Sequence, residues 1–310
     1  TRQLLDRYNT LLRNSFIDIP QLESSFIPTE DERGRVSPLW INQSDKFVRR
    51  IFNRGSWEKG GRFYGGWWQN CPEEWRTKIF INDKPTVEVD FSGHHIAMLY
   101  ANKGIDFGAL GIDAYTVETP EQWPLTDDER RAVCKDLMLI VINATDEKKA
   151  VKAFQNKQPN GSFQKGISNG DLGLVLDRLK EKHQPIAEHF ANDAGIDLMR
   201  QDSDITAILI DEFTADGEVI LTIHDSYIVD LDSVTKLRAR MAKAFEKVTG
   251  VSGARLDVAY KLDYRTMKQL PGSSNAQSFA VIKQGLSQLH IDPDRSERYL
   301  QGLRTWQGRS

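Results

Sequence analysis

Cysteine is almost missing from this chain of 310 residues: Cys71 and Cys134 are the only two, and neither belongs to a CxxC pair. That argues against a disulfide framework or a cysteine-rich zinc site, and for a reduced, cytoplasmic setting. Long hydrophobic runs are missing too. No segment approaches the ~20 apolar residues that cross a bilayer, so no membrane association is expected. Thr1 to Arg13 is polar and lacks a signal-peptide core, and the chain opens without Met, as a trimmed chain would. A charge excess of one sign is absent as well. The formal net charge is -3 and the sequence pI about 6.1, so any nucleic-acid binding has to rest on local basic patches.

What is present is organised in segments. Residues 1–17 (Leu4, Leu5, Tyr8, Leu11, Leu12) carry an amphipathic helical pattern, and 18–45 are Pro-punctuated and read as extended or loop-rich. Ile79–Ile81 and Thr86–Asp90 are strand-like, with Asn82-Asp83 as a hairpin turn. A helix follows from His94 to about Lys103 and stops at Gly104. Thr126 and Glu129 form a capping box that starts a helix running to about Asn143. Residues 155–171 have no strong period and read as a mobile loop. Helical patterns return at 172–193, 203–213 and 233–249, a strand is expected at 254–262 and a helix around 276–289. Strands, then helices, then strands favour an α+β fold with an antiparallel sheet.

Four constellations carry candidate chemistry. The first is Val87-Glu88-Val89-Asp90-Phe91-Ser92-Gly93-His94-His95, an apolar strand that delivers a carboxylate at its end. Hard cations such as Mg²⁺ take oxygen ligands of this kind. Alone, an Asp at a strand end is more often a turn or cap. The second is Ile220 to Val229, where His224-Asp225-Ser226 interrupts a very apolar strand pair and reads as a hairpin with Asp225 at its tip. A solvated turn is the bland alternative, although a plain turn needs no His224. The third is the capped helix, on which Arg131, Lys135, Leu139 and Asn143 share one face. Arg and Lys one turn apart can grip a triphosphate, and the ordinary alternative is a solvated basic edge. The fourth is the basic and aromatic stretch from Arg49, Arg50, Arg54 and Lys59 through Gly61-Arg62-Phe63-Tyr64 to Gln69-Asn70-Cys71-Pro72 and Arg76. Such interleaving suits stacked bases and neutralised phosphates, and the ordinary alternative is a core segment whose Trp residues simply pack.

Taken in order, these segments resemble the family A DNA polymerases and the related single-subunit phage-type RNA polymerases, over residues 60–100, 113–145 and 203–230. Asp90-Phe91-Ser92 is similar to motif A, whose Asp binds both metals, with the Phe91 backbone carbonyl as a further ligand. Arg131, Lys135, Leu139 and Asn143 follow the spacing of motif B, where Arg and Lys hold the incoming triphosphate. His224-Asp225-Ser226 resembles motif C, which supplies the second metal-binding Asp. The 69–72 segment with Arg76 resembles the stretch before motif A in DNA polymerases, and 61–64 a template-side motif of the RNA polymerases.

The resemblance implies an antiparallel-sheet palm with a helical fingers subdomain and a reduced or absent thumb. The implied divisions are 1–60, an N-terminal helical and extended region with the basic-aromatic segment; 61–112, palm with motif A; 113–202, fingers-like with motif B; 203–265, palm with motif C; and 266–310, a C-terminal tail. It implies a nucleotidyltransferase acting through two Mg²⁺ ions, with Mn²⁺ as a substitute, held about 3.5–4 Å apart. Asp90 and Asp225 would hold the metals, and Lys135 would protonate the leaving group. Arg131, Lys135, His95, Asn143 and His224 would contact nucleotide or primer end, and Arg49, Arg50, Arg54, Arg62, Tyr64, Gln69 and Arg76 would contact nucleic acid. The expected partners are template, primer, nucleoside triphosphates and accessory replication proteins, around a monomer in a bacterial or phage-infected cell.

The chain departs from the pattern in three places. The aromatic that closes motif B and its following Gly are missing at Asn143, His95 stands where DNA polymerases have a Glu, and motif C ends in Ser226. The last two lean toward ribonucleotide-tolerant, primase-like synthesis. The competing readings are a catalytically degenerate polymerase fold that only binds nucleic acid, a different metal-dependent phosphoryl enzyme such as a nuclease (Glu88, Asp211, Glu212 and Asp230 are available), and a template-independent nucleotidyltransferase.

Overall fold

The structure, a computed structural model, describes residues 2–30, 34–259 and 294–308. Its architecture is set by one strand whose alternation is plain in the sequence. In Lys84–Phe91 the apolar Val87, Val89 and Phe91 are buried while Thr86, Glu88 and Asp90 are half-buried on the opposite face. One surface therefore joins the core and the other carries the acids.

The elements run α1 (Arg2–Asn14), β1 (Ile17–Asp18), β2 (Phe26–Glu30), β3 (Val36–Trp40), β4 (Arg49–Phe52), β5 (Gly60–Tyr64), α2 (Glu73–Arg76), β6 (Phe80–Ile81), β7 (Lys84–Phe91) and α3 (His94–Ala101). They continue with α4 (Asp127–Asn143), α5 (Glu147–Lys157), α6 (Asn169–Lys182), α7 (Gly195–Ala215), β8 (Leu221–Ile223), β9 (Ser226–Asp230), α8 (Val234–Thr249), β10 (Leu256–Ala259) and α9 (Glu297–Gln307). Six strands form an antiparallel sheet in the order β1-β6-β7-β9-β8, with β10 also paired to β7. Two further hairpins, β2–β3 and β4–β5, stand apart from it. The result is a mixed α/β protein built on an antiparallel sheet.

Several expectations hold. Asn82 and Asp83 both take left-handed φ values (52° and 63°), the geometry of a tight two-residue hairpin turn between β6 and β7. The Thr126 side chain caps Glu129 N–H while the Glu129 carboxylate takes the Thr126 amide, so α4 begins on a complete capping box. Others differ. Residues 18–45 contain the β2–β3 hairpin, whose Pro28 and Pro38 face each other and hid its alternation. The 155–171 stretch is shared by the end of α5, a 3-10 turn at Gln164–Gly166 and the Ser168-capped start of α6. Helix α7 is longer than 203–213. The helix around 276–289 and the end of the 254–262 strand lie outside the described residues.

The large core lies between the apolar sheet face and α3, α4, α7 and α8. Tyr8 on α1 donates to the Ile220 carbonyl at 2.5 Å, and Asn9 exchanges two hydrogen bonds with the Val48 backbone, so the first helix is bolted to both ends of the chain's middle. Helix α9 returns to the N-terminal region, where Tyr299 and Leu303 enclose Phe16, and the Arg298 fork grips Asp18 at 2.7 and 2.9 Å. No helix among the described residues is long and apolar enough to cross a membrane.

Candidate active site

The β7–β9 register brings the two sequence-distant acids together. Asp90 pairs with Ser226, and Asp225 is the residue before it, at the tip that joins Ile223 of β8 to β9. The Phe91 amide donates to the Asp225 carbonyl at 3.4 Å. His224, the other tip residue, has φ of 57°, a left-handed conformation that is uncommon outside glycine. Its ring meets Tyr64 edge-on at 5.7 Å, which ties the tip to β5.

Asp90 is pushed up to about 7, first by burial, then by the negative charges of Asp225 and Glu88. Crowded, partly desolvated carboxylates without a cation behave this way. A hard divalent cation would relieve the repulsion, and two carboxylates plus water, backbone carbonyl and phosphate oxygens are a donor set such an ion accepts. The residues present fit the ion. Among the described residues no group of three or more His, Cys, Asp or Glu forms a closed protein cage, so ligands beyond these two acids would come from outside the acidic and histidine side chains. Glu88 is committed elsewhere: it takes the Arg76 guanidinium (Nε 3.1 Å, Nη2 3.4 Å) and the Ser226 hydroxyl.

Beneath the acids lies a buried polar knot. Asp202 of α7 is fully buried, accepts from Arg62 Nε at 3.0 Å and lies 3.4 Å from His94 Nε2. Burial would raise its carboxyl, but His94 and Arg62 outweigh this and hold it below the ordinary range. His94 stacks on Phe91 at 4.3 Å. His95 has both ring nitrogens buried without hydrogen-bond partners, and burial together with His94 lowers it to about 4, so it is a neutral imidazole near neutral pH. His224 is lowered too, by burial and then by Arg62.

Across the gap stands α4. Arg131 donates Nε and Nη2 to Asp113 Oδ2 at 3.0 and 2.7 Å. Both Arg131 and Lys135 lie over the ring of Tyr115, at 5.3 and 5.9 Å from its centroid. The Tyr115 phenol is raised to about 12, chiefly by burial, with Arg131 acting against this and the charges of Asp113, Asp225 and Asp90 adding to it. Gly93, just after the acid strand, has φ of 63°, and a Cβ there would lie 3.8 Å from the Tyr115 hydroxyl. Tyr115 thus touches both regions: its ring carries Arg131 and Lys135, and its hydroxyl lies beside the Gly93 turn that follows the acid strand. Beside Arg131 opens a groove of about 1060 Å³ whose lining mixes Arg130, Arg131 and Arg178 with Glu118, Glu121, Asp127 and Asp128, and which includes none of Asp90, Asp225 and Lys135. A smaller cavity of about 340 Å³ under α9 contains none of these residues.

The remaining sequence-derived candidates divide. Arg49 and Tyr64 are cross-strand partners on the outward face of the β4–β5 hairpin, with exposed Ile51 alongside. Arg50, Arg54 and Arg62 instead bind Asp204, Asp193 and Asp202, fastening that hairpin to α7 and the turn before it. Gln69 braces the backbone by donating to the Phe63 and Thr222 carbonyls and accepting from Gly65. Asn143 is not brought to the acids. It packs against Gly195, where any Cβ would collide with its Oδ1 at 1.8 Å.

Sequence reasoning missed Asp113, Tyr115 and Asp202. Asp202 did leave a signal: it occupies the buried stripe Leu198, Asp202, Ile205, Leu209 of α7, where a charge needs a partner. Asp113 and Tyr115 lie in an aperiodic connection that offered none.

No protein-family model and no curated protein matches the chain. Among solved structures it is similar to the POL domain of Pol1 from M. smegmatis in complex with DNA primer-template and dNTP, with 12% identity, a TM-score of 0.44, and coverage of 64% of this chain and 45% of that one. The chain spans less than half the length of that structure.

Proposed function

We propose that this chain is a nucleotidyltransferase of the nucleic-acid polymerase type, joining a nucleoside triphosphate to a 3′-hydroxyl under template direction. The observation that carries this reading is the meeting of Asp90 and Asp225 at one strand-and-tip junction; its support is Tyr115, which stacks under Arg131 and Lys135 and brings its hydroxyl to the Gly93 turn after Asp90.

The division of labour follows from charge. Asp90 and Asp225 are the residues that would hold divalent metal, of which Mg²⁺ is the hard-cation choice. Bound there, the metal would supply Lewis-acid activation of the attacking hydroxyl and neutralisation of the phosphates. Arg131 and Lys135 grip the β- and γ-phosphates, one as a fork and one as a point charge. In this reading Lys135 gives a proton to the departing pyrophosphate oxygen. Tyr115 walls the gap and keeps the opposing charges apart. His224, left-handed in the turn and in ring contact with Tyr64, shapes the tip that carries Asp225. Arg49 and Tyr64 offer a basic and aromatic surface next to that tip for the nucleic-acid strand. Little covalent chemistry falls to the protein, so positioning and charge stabilisation supply the rate. His95 and Ser226 favour ribonucleotide tolerance within this reading.

The test is incubation with primed and unprimed templates, Mg²⁺, and dNTPs or NTPs separately, for wild type and for Asp90→Ala and Asp225→Ala. Synthesis by the wild type and loss of at least a hundredfold in both variants is the expected result, the scale set by removing a metal ligand in a positioned active site. Undiminished synthesis by either variant would refute the mechanism.

A further inference from the structure

The connection between α3 and α4 divides one carboxylate between two tasks. Asp113 Oδ1 accepts from the amides of Tyr115 and Thr116, both at 2.8 Å, and from the Thr116 hydroxyl at 2.9 Å. That oxygen builds the turn. Oδ2 takes Nε and Nη2 of Arg131. That oxygen aims the guanidinium. Burial would raise the carboxyl, but the Arg131 hydrogen bond and the turn donors hold it well below the ordinary carboxylate range, so it stays ionised.

The turn is itself fastened from beneath. Its middle carbonyl, Ala114, accepts from Nε2 of the fully buried His183 at 2.8 Å. That assignment leaves Nδ1 of His183 to accept from the Tyr100 hydroxyl at 3.0 Å. Tyr100 belongs to α3, the helix that starts directly after the Asp90 strand. Buried contacts therefore run from α3, the helix after the acid strand, through Tyr100 and His183 to Ala114, and the partly exposed Asp113–Arg131 pair carries the connection on to α4. Arg131 Nη1 has no hydrogen-bond partner among the described residues, and the guanidinium lies over Tyr115 beside the open groove. A freely rotating arginine would lose several rotors on gripping a phosphate; one pinned along its Nε–Nη2 edge has already lost them.

We propose that Asp113 is a positioning residue for the phosphate clamp, holding Arg131 by one edge so that its remaining donors meet the triphosphate of the incoming nucleotide. This rests on the triphosphate reading given above. Asp113 touches no reacting atom; it acts through Arg131.

The discriminating substitution is Asp113→Asn. The Asn carbonyl oxygen still accepts from the Tyr115 and Thr116 amides, so the turn survives, while the amide NH₂ offers Arg131 no anionic acceptor. Affinity for a Mg-bound α,β-imido nucleoside triphosphate is measured by calorimetry in wild type, D113N, R131A and the double variant, with KM and kcat from primer extension alongside. The expected result is affinity weakened and KM raised roughly tenfold in D113N, the scale of one charge-assisted hydrogen bond, with kcat within about threefold of wild type. In the R131A background D113N should add nothing, as coupled partners require. Unchanged affinity in D113N, tighter binding in D113N, or an equal loss with and without Arg131 would each overturn the proposal while leaving the triphosphate reading intact. A wild type that binds no analogue would overturn both.

Discussion

Replacing Asp90 with Asn should make the metal-free protein more stable, and only above mildly acidic pH. The carboxyl lies at about 7 against an ordinary 3.8. The folded state thus holds this proton more tightly than the unfolded chain does. Nothing is lost at pH below the unfolded value; between roughly pH 4 and 7 the unfolded chain gives up this proton while the folded protein still holds it, so stability falls steadily, and above 7, where both states are ionised, the penalty is complete. At about 1.4 kcal/mol per tenfold change in proton affinity the full penalty is on the order of 4 kcal/mol. Asn removes the charge but keeps an imperfect set of hydrogen bonds, so a net gain of about 2–4 kcal/mol is expected at pH 8 and almost none at pH 4.5. For a chain of this length that is roughly 4–8 °C in Tm. The assay is thermal unfolding of wild type and D90N from pH 4.5 to 8, with and without millimolar Mg²⁺. Mg²⁺ should raise the wild-type Tm at pH 8, because the ion supplies the missing counter-charge, and should leave D90N nearly unmoved. A D90N protein less stable than wild type at pH 8, or a difference that does not vary with pH, would refute the reasoning.

Asp202→Ala leaves Arg62 and His94 facing a buried hole, and a loss of about 3–5 kcal/mol in urea unfolding is expected, the range for breaking one side of a buried pair. Thr126→Ala removes one half of the α4 capping box and should cost about 1 kcal/mol by the same measurement. That loss should come with a weaker triphosphate response, because the same helix carries Arg131 and Lys135.

The sequence was most readable where local physics and tertiary need agreed. The β7 alternation, the Asn82-Asp83 turn, the interruption at His224-Asp225 and the α4 capping box each state their geometry within ten residues. The meeting of Asp90 and Asp225 is a long-range juxtaposition that no local pattern fixes; the resemblance of the segments led to that expectation, and the β7–β9 ladder pairs Asp90 with Ser226, the residue after Asp225. The arginines of residues 49–76 were harder to read. Their spacing suits a phosphate track, yet Arg50, Arg54, Arg62 and Arg76 each meet an acid 12 to 154 positions away in the chain, and such partners are invisible before folding. Tyr115 was unreadable for a related reason: it gathers Arg131 and Lys135 of α4 on its ring and reaches the Gly93 turn with its hydroxyl, contacts that only folding makes.

The position of β7 within the sheet has a consequence for motion. It is paired along one border with β9 and along the other with β6 and β10, so it has no unpaired edge over most of its length. Amide protons at Val87, Val89 and Phe91 should exchange only when the whole molecule opens. Under the function proposed above, the widening that admits a nucleotide is therefore expected in the 113–125 connection and the head of α4 rather than in this paired strand.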